Sequence, residues 1–369
     1  MYLYHRESLV ADRTGHDRVI ALLVAGSIAF AIALIGTAWL ERFMRDHGRS
    51  QPILEKNAAN LVVPQHQHKA GTPTMGGLAV LAAATLGYLL SHIRRGVVFS
   101  NQTLVMFAGV IAMALIGFVD DYIKVRKKRN RGVLWKLKGY ITLLVSFGIA
   151  TALVVSSDID TRLSLTRANL PGWQLGPVIW VVWAGVIIFC TANAVNVTDG
   201  LDGLAGGSAM FAFAAFAVIA FVGFRNHDLY PSIVNPYDLA VFAAAFAGGC
   251  AGFLWWNAAP AKIFMGDVGA LGIGTALALL ALSTNTQLLL PLLCGLNVIE
   301  IGSVAIQMGV FKATHGRRRV FRLSPIHHHF EMAGWAETTV IVRFWLIAGF
   351  LVMCGLGLFI ADFTNQVGR

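Results

Sequence analysis

The sequence predicts an all-α polytopic membrane protein with about ten transmembrane helices, forming one domain over 1–369. Two compositional facts and one physical constraint carry that prediction. The chain is 56% hydrophobic and 13% charged, with a mean hydropathy of +0.66, whereas soluble domains carry roughly 25% charged residues. Apolar runs close to the ~20 residues that cross a bilayer recur along its whole length. In lipid, backbone polar groups have to be satisfied within the segment, so runs of this length read as helices.

The apolar runs lie near 19–40, 75–92, 101–119, 139–156, 176–198, 206–224, 238–256, 268–284, 286–311 and 339–362. The first follows a polar start with three Arg. It is too long for a signal-peptide core and lacks a convincing cleavage site, so it reads as a retained anchor. The eighth and ninth are separated only by STNTQ (283–287). Between the fourth and fifth, SLTRANLPGWQL (164–175) reads as a short hairpin. Cys190, Cys250, Cys294 and Cys354 all fall in apolar runs, which predicts packing roles and no disulfide.

Ten spans put both termini on one side. The loops 41–74, 120–138, 199–205, 257–267 and 312–338 then face the other and hold 19 Lys and Arg, against nine in the termini and remaining loops. The positive-inside rule makes those five loops cytoplasmic and both termini periplasmic. The net charge of +10 is therefore a topology signal that also draws anionic headgroups, and no nucleic-acid partner is implied. The unusual polar clusters fall on that same face, which predicts a cleft there.

Chemistry concentrates in five stretches. In TANAVNVTDGLDGLAGG (191–207), Asn193, Asn196 and Asp199 are spaced i, i+3, i+6 and share one helix face. Asp202 fits the N-cap of the next helix. Asn193 and Asn196 lie inside the span, where polar side chains need partners or a function. Asp120 and Asp121 end the third span, with Lys124 in reach as an ion-pair partner. Paired carboxylates hold a hard cation or take a proton. Asp267 reads either as the N-cap of span eight or as a carboxylate for a metal-phosphate. Consecutive His327, His328 and His329 point in different directions, so a three-His zinc site fits poorly and donation to phosphate oxygens fits better. Lys69 precedes the rigid turn Gly71-Thr72-Pro73-Thr74. Carboxylates, amides, imidazoles and cations on one membrane face suit phosphoryl transfer between a water-soluble and a lipid substrate.

GTPTMGG (71–77), DDYIKV (120–125), NAVNVTDGLDGLAGG (193–207), FMGDVGAL (264–271) and SPIHHHFE (324–331) together closely resemble the phospho-N-acetylmuramoyl-pentapeptide transferases. That family is a branch of the polyprenyl-phosphate N-acetylhexosamine-1-phosphate transferases. The stretches run across most of the chain in the family's order. The resemblance implies transfer from UDP-N-acetylmuramoyl-pentapeptide to undecaprenyl phosphate with Mg²⁺, releasing UMP. It also implies a homodimer in the bacterial cytoplasmic (inner) membrane, embedded among membrane lipid. Carried over by position, Asp267 would be the Mg²⁺ ligand, Asp120 the base on the lipid phosphate and Asp121 their support. Lys69, Asp202, Asn257 and Phe264 would form the nucleoside pocket, and Asn193, Asn196 and Asp199 would line the cleft. His327, His328 and His329 would meet the sugar-diphosphate end. The basic loop departs from the family pattern, reading RGVLWKLKGY (131–140) in place of a Gly-Leu-Ser-Ala-Arg-like segment.

Other classes fit less well. A secondary transporter would place its polar residues near the bilayer midplane, not at helix ends. A lipid-binding scaffold would need the basic loops but not Asp120, Asp199 and Asp267. The nearest enzymatic alternative uses UDP-GlcNAc as donor.

Overall fold

The computed structural model describes residues 2–47, 69, 71–93, 99–127 and 132–368. Part of the basic cluster of loop 120–138 (Lys128, Arg129, Arg131) and most of loop 41–74 lie outside the described residues. The chain folds into helices α1 (Tyr2–Asp46), α2 (Gly77–Ser91), α3 (Asn101–Arg126) and α4 (Trp135–Ser156), then strands β1 (Arg162–Arg167) and β2 (Leu170–Gln174). Helices α5 (Gly176–Thr198), α6 (Leu204–Arg225), α7 (Pro236–Asn257), α8 (Gly266–Ser283), α9 (Leu290–Leu293), α10 (Gly295–Ala313), α11 (Ile326–Glu331) and α12 (Glu337–Val367) follow. Nine helices among the described residues are long and apolar enough to cross a membrane. The second predicted run, 75–92, forms α2, an apolar helix of 15 residues, about 22 Å at 1.5 Å per residue.

Helix α8 is the hub. Every residue from Val268 to Ser283 is buried, and α2, α3 and α5 pack around it. In lipid no hydrophobic drive pulls helices together, so close packing of small residues has to do it. Gly77 of α2 lies against Gly269, Gly117 of α3 against the backbone of Asp267, and Gly274 against Ala192 of α5; a Cβ at any of these glycines would collide. The faces turned away from the hub carry exposed Leu144 and Val155 on α4 and Leu346, Phe350 and Met353 on α12, as lipid contact requires. The expected hairpin is present: β1 and β2 pair antiparallel, with Arg162 opposite Gln174 and Leu163 opposite Trp173. It is tied to α12 by Arg167 Nε, 3.1 Å from Asp362 Oδ2.

Several expectations are corrected. The ninth run is not one helix over 286–311. Thr286 N–H donates to Ala281 O and Leu289 N–H to Thr286 O, turning the chain back before α9, and α10 starts only at Gly295. Helix α3 continues to Arg126, so Asp120 and Asp121 sit inside it rather than after it. The run 326–331 is a short helix, not a loop. Cys190 is exposed on α5, outside the packed core.

Replacing Gly77 with Val should therefore force α2 off α8 and cost about 1–3 kcal/mol or more, as overpacking does. It should lower the melting temperature in detergent. Gly36→Ala, where an added Cβ meets nothing within 4 Å, should leave that temperature unchanged.

Candidate active site

One cluster forms where α3 ends and α8 begins, and a second where Lys69, the turn before α6 and the start of α12 meet. The first is built on α3, whose helical spacing puts Asp120, Asp121 and Lys124 on its last turns. Lys124 Nζ lies 2.7 Å from Asp120 Oδ2, 3.5 Å from Asp121 Oδ1 and 2.9 Å from Asp267 Oδ2. Lys138, on the first turn of α4, pairs with that same Asp267 oxygen and stands 3.7 Å from Asp120 Oδ2. The other oxygen of Asp120 accepts from Val133 N–H at 2.8 Å. Asp121 Oδ2 accepts from Val268 N–H at 3.1 Å, using a free donor of α8's first turn. That contact needs Gly266, which adopts φ +75° and would drive a Cβ into Asp121 Oδ2 and Thr74 Oγ1.

One oxygen from each of Asp120, Asp121 and Asp267 lies within 4.8 Å of the other two. An all-oxygen, carboxylate-rich donor set suits a hard divalent cation, and the two ammonium groups now share its negative charge. Asp199 caps the C-terminus of α5 nearby. Burial, and then the carboxylates of Asp267, Asp121 and Asp202, push its carboxyl well above the usual range.

The second cluster is a knot around Lys69. Its Nζ lies 2.8 Å from Asp202 Oδ1 and 2.5 Å from Glu337 Oε1. Asp202 Oδ2 accepts from Ala261 N–H at 2.9 Å, and Asp202 N–H donates to Glu337 at 3.3 Å. Asp202 is thus not the N-cap of α6. That position belongs to Gly203, at φ +77° and without a side-chain cap. Nor is Asp267 an N-cap: α8 begins at Gly266 behind Met265, and Asp267 points to the two lysines. Buried Asn257 donates to Ile263 O at 2.9 Å, and its Oδ1 is buried without a partner. Phe264 is held by its backbone: its N–H donates to Pro73 O and its carbonyl accepts from Gly76 N–H, both at 2.8 Å. The segment 257–267 therefore runs from the Lys69 knot directly to Asp267.

The remaining predicted residues disperse. Asn193 Nδ2 donates to Phe189 O within its own helix at 2.8 Å, and Asn196 is half-buried. The three His take different polar partners, although the rings of His327 and His328 meet edge-on with centroids 4.2 Å apart. His327 is wholly buried with Nδ1 3.0 Å from Glu300 Oε2, His328 pairs with Glu331 at 2.6 Å, and His329 accepts from Arg322 N–H at 3.1 Å. Sequence reasoning passed over Lys138, Glu337 and Glu300. Lys138 was hidden in a basic loop attributed to topology. Glu300 carried a usable signal, as the single acid in its apolar run.

A model described as glycosyl transferase family 4 matches residues 103–285, and phospho-N-acetylmuramoyl-pentapeptide-transferase signature 1 matches 69–81. A protein named phospho-N-acetylmuramoyl-pentapeptide-transferase from Frankia casuarinae is 43% identical over 361 residues, 94% of this chain and 99% of that relative. The chain belongs to the phospho-N-acetylmuramoyl-pentapeptide transferase family. Relatives of the same name from Streptomyces avermitilis and Rhodococcus jostii are 41% and 42% identical, again over 94% of this chain and 99% of their own length. The family signature takes in Lys69, Gly76 and Gly77. The broader glycosyl transferase match takes in Asp120, Asp121, Asp199, Asp202 and Asp267, but not Glu300, the three His or Glu337. The protein is a multi-pass bacterial membrane protein.

Lys69→Met removes the ammonium that pairs with both Asp202 and Glu337. Removing one partner of a buried ion pair costs about 3–5 kcal/mol. The variant should melt well below the wild type in detergent, and Lys69→Arg should recover part of the loss.

Proposed function

We propose that the chain transfers phospho-MurNAc-pentapeptide from UDP-MurNAc-pentapeptide to undecaprenyl phosphate, giving the first lipid-linked peptidoglycan intermediate and UMP. The observation that carries this reading is the interleaving of three carboxylates with Lys124 and Lys138 at one end of a membrane bundle. Family membership supplies the substrates. In this reading an oxygen of the lipid phosphate bonds to the β-phosphorus of the sugar nucleotide. The bond from that phosphorus to the bridging oxygen of the α-phosphate breaks, and UMP leaves with the electron pair.

Lys124 and Lys138 neutralise the phosphate oxygens as the two anionic substrates approach. Asp267 would be the principal ligand of Mg²⁺, with Asp121 and Asp120 beside it. The ion would add charge neutralisation on the diphosphate. Both oxygens of Asp120 already have donors, and a lipid phosphate with a second pKa near 6 is largely dianionic at pH 7. Asp120 therefore orients Lys124 more than it takes a proton. This favours direct attack over a covalent aspartyl-phosphate route: configuration at the transferred phosphorus should invert, and retention would end the direct route.

The Lys69–Asp202 knot, Asn257 and Phe264 form the nucleoside end of the cleft, with Asp199, Asn193 and Asn196 along its wall. His328 and His329 stand toward the sugar, with His327 buried behind them. The site faces the cytoplasm, α2 is a tenth crossing, and both termini are periplasmic, on the strength of the Lys and Arg distribution. Assembly as a homodimer rests on the resemblance alone.

Purified protein with undecaprenyl phosphate, Mg²⁺ and UDP-MurNAc-pentapeptide should release UMP. Asp267→Asn should lower kcat by about 100-fold or more, the scale of losing a few kcal/mol of charge stabilisation. Release with UDP-GlcNAc but not with the pentapeptide donor would assign the chain to the sister activity.

A further inference from the structure

We propose that Glu300 is a positioning residue for the transfer reaction above, acting through His327 on the 199–203 turn that carries Asp199 and Asp202. Glu300 is the single acid of α10 and is wholly buried. A carboxyl inside a membrane-spanning helix is costly and persists where it is paired or used. Its Oε2 meets His327 Nδ1 at 3.0 Å, and neither side chain has any exposed surface. That contact holds the ring by its Nδ1 edge and sets its plane, as orienting carboxylates do for functional imidazoles.

The other edge of the ring meets the turn. A Cβ at Gly200 would collide with His327 Nε2 and Cε1. The imidazole thus fills the volume a side chain at 200 would take, and determines how deeply the turn seats. A second contact from the same helix face supports this. Asn297, three residues before Glu300, donates from Nδ2 to Thr198 Oγ1 at 3.0 Å, and Thr198 is the last residue of α5. Residues three apart lie on one face. Helix α10 therefore grips the end of α5 directly through Asn297 and the following turn indirectly through Glu300 and His327. The same turn delivers Asp202 to Lys69 and to Ala261 N–H, so its seating governs the nucleoside end of the site.

The test compares wild type, Glu300→Ala, Glu300→Gln and Asn297→Ala, using UMP release and equilibrium binding of UDP-MurNAc-pentapeptide. Glu300→Ala should raise both KM and Kd for the sugar nucleotide by about 10- to 100-fold, the usual cost of removing an orienting partner. The KM for undecaprenyl phosphate should stay within about twofold. Glu300→Gln keeps an acceptor for Nδ1 and should return both constants to within a few-fold of wild type. Asn297→Ala should raise the same KM. Combining Glu300→Ala with His327→Ala should add little to the worse single variant, because the two act as one unit.

A lower melting temperature with both KM values unchanged would mean a purely structural pair and overturn the proposal. Should Glu300→Ala not fold, the outcome rests on Glu300→Gln and Asn297→Ala. An unchanged sugar-nucleotide KM for Asn297→Ala would then overturn it. Wild-type protein that binds the sugar nucleotide without releasing UMP would sink the transfer reaction, leaving Glu300 to be judged on Kd. Wild-type protein that binds no sugar nucleotide would sink both.

Discussion

Lys124 and Lys138 hold together what would otherwise repel. Like charges about 4 Å apart cost about 4 kcal/mol per pair at an effective dielectric constant near 20. Asp120, Asp121 and Asp267 are packed more closely than such a group tolerates alone. One ammonium from α3 and one from α4 stand between carboxylates from α3 and α8, so the cluster is also an interhelical clamp. The rest of the local structure follows from it. Helix α3 has to run on to Arg126 to present Lys124, the chain has to return through 132–138 to present Lys138, and α8 has to begin at the clamp.

Glycines make that approach possible. Gly117 admits the backbone of Asp267, Gly266 admits the Asp121 carboxylate, and Gly77 lets α2 lie on α8. The α2 contact in turn carries the chain from Lys69 through Pro73 and Gly76 alongside Phe264. The Lys69 knot and the carboxylate clamp are therefore two ends of one rigid construction, joined by 257–267. Asp199, raised by burial and by its acidic neighbours, sits where the two meet.

The sequence made the bundle legible because lipid enforces it: among the described residues, ten apolar runs become nine long helices and the shorter α2. It also located the carboxylates, the Lys69 turn and the hairpin. It did not reveal helix ends or partners. Asp202 and Asp267 each looked like caps because capping is a local pattern, while their actual partners, Lys69 and the two lysines, lie 129 to 143 positions away. Lys138 was invisible among eight basic residues in 120–138, since charge serving topology and charge serving chemistry look alike in one dimension. Glu337 was missed for the opposite reason, as an ordinary acid at a helix start. The run 286–311 concealed a break because the turn ahead of α9 is closed by backbone bonds, which leave little mark on hydropathy.

In the proposed reaction the three carboxylates form one divalent-cation site whose charge the two lysines share. The most direct test is Mn²⁺ binding to purified protein, followed by electron paramagnetic resonance, for wild type, Asp267→Asn and Lys138→Ala. The wild type should show a single site, lost in Asp267→Asn. Lys138→Ala should bind Mn²⁺ more tightly, because a competing cation has left Asp267, and should transfer more slowly. Undiminished binding in Asp267→Asn, or weaker binding in Lys138→Ala, would contradict that arrangement.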